Sequence, residues 1–183
     1  VMCLDAKGMA DGNDGPFTDE ARQHVPEGRE PVPTGPADAD ILWLYDTIKE
    51  LGIRQHDAAH CSILIDGDFL YVNTSNGVDD THRHIASPDA PSLIVLDKRT
   101  GRLVARDGER IGQKIFHCTW SSPALGIVNG RKLIFDVGPD GIVYAFEPVT
   151  ESTPHVQTLK KVWWFDIDPA APKENVHRYV ANR

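Results

Sequence analysis

Cysteine is scarce in this chain: Cys3, Cys61 and Cys118 are the three in 183 residues. None is adjacent to another and none lies in a C-x-x-C pair, which excludes a disulfide scaffold, a zinc ribbon and a covalently attached c-type haem. Apolar runs are short, and none approaches the roughly 18 residues that a membrane-spanning helix needs. Positive charge is in deficit. Lys+Arg number 19 against 27 Asp+Glu, a net charge of −8, which argues against nucleic acid as a partner, since phosphate-backbone binding needs a basic surface. There is no P-loop and no dinucleotide fingerprint. No Gly-x-Ser-x-Gly elbow surrounds Ser121-Ser122-Pro123, so that Ser-Pro reads as a strand opening. A basic n-region and a cleavage site are also lacking. Val1-Met2-Cys3-Leu4-Asp5 reads as the middle of a strand, so the chain reads as a fragment, and the compartment of the parent stays open.

What is present is a globular composition, 40% hydrophobic and 25% charged, with enough apolar residues for a core. Glycine and proline crowd residues 8–40 and break both helix and strand, so this stretch is a long loop. Residues 41–45 (ILWLY) form a short strand, and 47–51 (TIKEL) one helical turn stopped by Gly52. From Cys61 onward strands alternate with turns. Residues 62–65 and 69–73 flank Asp66-Gly67-Asp68, a strong hairpin signal. Residues 74–91 form a polar loop. Strands follow at 92–96, 102–105, 120–128, 132–137, 142–146 and 161–165, with a linker at 107–114, a third loop at 148–159 and a tail from 168 to 183. Frequent strands without a long amphipathic helix make the chain all-β.

The strands recur with a period. Ile63-Leu64-Ile65-Asp66-Gly67-Asp68-Phe69-Leu70-Tyr71-Val72 parallels residues 125–135, and Leu93-Ile94-Val95-Leu96-Asp97 parallels Ile142-Val143-Tyr144-Ala145-Phe146-Glu147. Val1-Met2-Cys3-Leu4-Asp5 is a third copy of the acidic-ended strand, and residues 41–46 align with 161–166 without a gap. Four strands in about 40–50 residues describe a β-propeller blade. The chain then holds half a blade (1–46, with the 8–40 loop), a blade at 58–107 and a blade at 115–167, with long loops inserted within blades. Closure needs about four blades, so the sequence predicts a partial propeller of four-stranded antiparallel blades whose remaining blades belong to a longer parent.

At this point the residues resemble a known family. Val95-Leu96-Asp97-Lys98-Arg99-Thr100-Gly101 is similar to the A-x-D-x-x-T-G signature of pyrroloquinoline-quinone-type propeller repeats. Trp43 and Trp163 look like the Trp that closes that signature, and Asp5 and Glu147 stand at the acidic position. The middle copy has Ala105 near the Trp position, and the third keeps Glu147 and Thr150 without Thr-Gly. The resemblance implies a bacterial, periplasmic or extracellular repeat protein. It also implies quinone with calcium as a cofactor in those relatives that are alcohol dehydrogenases, although many relatives bind none. The vicinal Cys-Cys of the dehydrogenase quinone pocket is missing. Asp97, Thr100 and Gly101 read as turn formers and Trp43 and Trp163 as filling between blades.

Two kinds of residue point to chemistry. His60-Cys61 and His117-Cys118 fall at equivalent places in successive blades. Alternation along a strand sends neighbours to opposite faces, so one His–Cys pair is expected at a blade interface, as a metal or cofactor contact or as a buried thiol beside a wall imidazole. A sheet separation of about 10 Å disfavours a Cys61–Cys118 disulfide. His82 and His84 share the 74–91 loop with Asp79 and Asp80, a set that suits a metal or simply a solvated loop. Asp11, Asn13 and Asp14 faintly suggest a calcium loop, but Arg22 stands where its bidentate Glu belongs.

Three functions compete. The first is a non-catalytic scaffold that binds a partner protein or small ligand through blade loops. The second is a fragment of a quinone-dependent dehydrogenase. The third is a metal or redox site at the His-Cys pairs. No catalytic residue is assignable, so the chain leans away from being an enzyme in itself.

Overall fold

Strand-forming β-branched and aromatic runs, punctuated by Asp-Gly and Asn-Gly turns, dictate the architecture seen in the computed structural model, which describes residues 1–23, 25–56, 61–115 and 117–170. The chain is all-β, with two one-turn α-helices among the described residues, α1 (Glu20–Gln23) and α2 (Thr47–Leu51). It divides into two compact units, Val1–Asp46 and Thr47 onward.

In the first unit β1 (Met2–Leu4) pairs antiparallel with β2 (Ile41–Leu44), Cys3 opposite Trp43. Trp43 is buried. The described residues of 8–40 form the expected loop, with α1 the one α-helix among them. The loop is held at its base, where the backbone N–H of Met9 donates to Asp38 O. The Asp5 carboxylate accepts from the backbone N–H of Lys7.

The second unit has two sheets. One runs β3 (Leu64–Asp66), β4 (Phe69–Asn73), β5 (Leu93–Asp97), β6 (Leu103–Arg106), each antiparallel to the last. The other runs β7 (Ala124–Val128), β8 (Arg131–Val137), β9 (Ile142–Phe146) and β11 (Lys161–Asp166), again all antiparallel. The 148–159 stretch departs from a plain loop, because β10 (Gln157–Thr158) adds to β6 in parallel and makes the first sheet five-stranded. Among the described residues these sheets do not close a propeller.

The core lies between the two sheets. Tyr71, Leu93, Val95 and Val104 meet Ile134, Tyr144 and Phe146 there, with Ile111 and Leu159 beside them. Each buried aliphatic or aromatic side chain contributes about 1.5–3 kcal/mol. The Tyr71 hydroxyl is satisfied by the Val149 N–H at 2.7 Å, and burial pushes its pKa up to about 12.

The repeat residues hold turns. Asp97 Oδ1 accepts from the backbone N–H of Arg99 and Thr100 and from Thr100 Oγ1, and Gly101 follows with φ +70°, which suits a residue without Cβ. Glu147 pairs with Arg131 and Lys160. Trp163 tilts against Phe135 and is 37% exposed.

Candidate metal centre

The site starts from the segment that follows β4. Residues 74–78 were expected to open a polar loop, yet they are buried because both their edges find partners. Gln55 bridges Asn76 on one side and Cys118 bridges Gly77 on the other. The Gly77 N–H donates to Arg54 O at 2.7 Å, and the Val78 N–H donates to His117 O at 2.9 Å. The Asn76 side chain completes the pairing, Oδ1 accepting from the Arg54 N–H and Nδ2 donating to Ser87 O. Polar residues are thus buried with their hydrogen bonds made, as burial requires.

This arrangement places His56 and His117 on either side of Gly77. A third imidazole arrives from the loop beyond. Val78 bridges Ile85, which closes residues 79–84 into a tight turn organised by Asp79. Its Oδ1 accepts from Thr81 Oγ1 and from the backbone N–H of Thr81, Arg83 and His84. The Thr81 hydroxyl above all, with the Arg83 and His84 donors, holds the Asp79 carboxyl well below the usual carboxylate range. The turn puts His82 in the left-handed region, φ +57°, and brings its ring over the other two.

The three rings converge. Centroids lie 4.2 Å apart for His56–His82, 4.4 Å for His56–His117 and 5.0 Å for His82–His117. One ring nitrogen from each lies within 4.8 Å of the others. His82 is exposed, and the other two are half-buried. His56 Nδ1 is 3.2 Å from Val78 O. A carbonyl only accepts, so this contact puts the proton on Nδ1 and leaves the Nε2 lone pair as the donor to a metal. Trp120 flanks the cluster, its ring 5.2 Å from that of His117.

Gly77 is what lets the cluster form. A Cβ there would stand 2.8 Å from His56 Cβ and 2.8 Å from His117 O, both too close to be tolerated. Arg54 and Asp80 pair at 2.6 Å, tying the segment that carries His56 to the turn that carries His82.

The expected ligands are partly regrouped. His117 and His82 join the cluster, with His56, which no local spacing singles out, as their third member. His60 lies outside the described residues. The Cys118 thiol donates to Ser75 O at 3.0 Å. Cys61 lies near Ser75 Oγ and Thr119 O, and burial pushes its thiol pKa up, the state of an inert structural thiol. His84 turns to Asp79 at 3.2 Å. In the 8–40 loop, Asp11 pairs with Lys7 and Asn13 donates to Glu20. Ser122 Oγ accepts from the Ser62 N–H.

Imidazole donors suit zinc, copper, nickel or iron, whereas calcium takes oxygen ligands. This cluster therefore does not fit the calcium of a quinone pocket. Comparison of the chain with protein-family models, with curated proteins and with solved structures finds no match.

Proposed function

We propose that this chain is a metal-binding β-sheet module whose loops hold a borderline divalent transition ion, with zinc the representative case, through His56, His82 and His117. The observation that carries the reading is the convergence of three imidazoles from three separate segments around a glycine that alone permits it. Loops on a rigid scaffold are a usual place for binding residues, and here the chemistry of the loop residues names the ligand. Among the described residues three ligands converge, the number at which a centre keeps a position for an exchangeable ligand. Zinc–nitrogen bonds of about 2.0–2.1 Å require nitrogens about 3.3 Å apart, so loading draws the rings inward.

We read the two stacked meanders, β3 to β6 and β7, β8, β9 and β11, as successive propeller-type blades. Their sequential antiparallel order and face-to-face core support this, and the Asp97-to-Gly101 turn supports the likeness to quinone-type repeats.

The test is zinc titration in competition with a chromophoric chelator. One zinc per chain is expected, with affinity at least tenfold weaker in each of His56→Ala, His82→Ala and His117→Ala. Absence of stoichiometric zinc, or full affinity in His82→Ala, overturns the reading.

A further inference from the structure

We infer that Asp79 is a positioning residue for the metal centre: one oxygen of its carboxylate holds the turn that delivers His82 to His56 and His117. This rests on the metal reading above and adds what sets the affinity of that same site. His82 needs such a hold for two reasons. Its side chain is exposed, so burial does little to fix it. Its φ of +57° lies in the left-handed region, which penalises a residue that carries a Cβ. Without a restraint the backbone there returns to negative φ, and the ring swings out of the cluster.

The restraint comes from both sides of His82. Its two neighbours in the chain, Thr81 and Arg83, donate their backbone N–H groups to Asp79 Oδ1 at 3.1 and 3.2 Å. The Thr81 hydroxyl donates to the same oxygen at 2.7 Å. The His82 N–H donates to the Asp79 backbone carbonyl at 2.9 Å, and the Asp79 N–H donates to His84 O at 2.8 Å, which closes the turn at its base. Hydrogen bonds to an ionised carboxylate are stronger than neutral ones, so Oδ1 holds the turn firmly. A ligand already in place loses less conformational freedom when it binds. Removing Oδ1 therefore weakens metal binding, and it acts through His82.

The experiment is zinc titration against a chromophoric chelator on the full chain, with thermal melting of the same samples. Asp79→Ala is expected to bind zinc at least about tenfold more weakly, but no more weakly than His82→Gly, because a residue that acts through His82 cannot cost more than His82 itself. Asp79→Asn keeps an oxygen acceptor in the same place and is expected to stay within about fivefold of the parent. A loss of fold stability alone would show in the melts and would not give this ordering. Thr81→Val, which removes the hydroxyl donor, is expected to weaken zinc binding about threefold, and it decides the matter if Asp79→Ala does not fold. Full affinity in a folded Asp79→Ala chain or in Thr81→Val overturns this inference while the metal reading stands. So does equal weakening by asparagine and alanine, or an Asp79→Ala chain weaker than His82→Gly. A parent chain that takes up no stoichiometric zinc removes the metal reading and this inference with it.

Discussion

His56 and His117 face each other across Gly77, their rings 4.4 Å apart in an edge-on arrangement, with the Gly77 N–H bonded to Arg54 O and the next N–H, that of Val78, bonded to His117 O. The glycine is the spacer that sets their separation. Substituting it with alanine puts a methyl 2.8 Å from groups on both sides, one of them a backbone carbonyl that cannot swing away. Gly77→Ala is expected to cost about 1–3 kcal/mol of stability by overpacking and to weaken zinc binding at least tenfold. Urea unfolding and chelator competition measure the two effects. Full zinc affinity in a folded Gly77→Ala chain would refute the spacer role.

His82 can be separated from the fold. Its side chain is exposed and its backbone is left-handed, a conformation glycine adopts freely. His82→Gly is expected to keep thermal stability within about 1 kcal/mol of the parent while losing most zinc affinity. Melting and metal titration on one sample decide this, and retained affinity counts against the imidazole as ligand.

Asp136 predicts a pH dependence. It is buried on β8, and burial, outweighing the pull of the Asn73 side chain and the Val137 N–H, raises its pKa to about 7. The folded chain therefore binds a proton that the unfolded chain, with an Asp near 3.9, releases. The contribution of Asp136 to stability is greatest below the unfolded value. It declines as pH rises to the folded value and is flat above it. Between pH 5 and pH 8 the decline is about 2–3 kcal/mol. Asp136→Asn is expected to be more stabilising at pH 8 than at pH 5 by that amount, as urea unfolding at the two pH values will show. An equal effect at both would mean Asp136 ionises normally.

Trp120 supplies a reporter. Its ring is 5.2 Å from that of His117, close enough for copper(II) in the cluster to quench its fluorescence. One equivalent of copper(II) is expected to quench the wild-type chain, and Trp120→Phe to lose most of the quenched component. Equal quenching in both would place the ion elsewhere.

The strands were legible in the sequence because each is bounded by turn chemistry that acts locally. Asp66-Gly67, Asn129-Gly130 and Asp97-to-Gly101 set hairpins through positive φ and short-range hydrogen bonds. β9 lies over Ile142–Phe146 as its apolar run predicts, and α2 over Thr47–Leu51. β10 was hidden because two residues joining a sheet edge carry no periodicity. The burial of residues 74–78 was hidden because it rests on the side chain of Asn76 meeting Arg54 and Ser87, partners remote in the chain.

The histidine cluster divides the same way. Sequence by itself set the residue types and the all-β character, since propensity, alternation and turn geometry are short-range properties. It also marked His82 and His117 as groups able to bind a metal. Only the tertiary structure selected His56 as their companion, turned Cys61 and Cys118 toward Ser75, and gave Gly77 its purpose. Those outcomes depend on which segments the paired backbone brings side by side, and that pairing is a property of the folded chain as a whole.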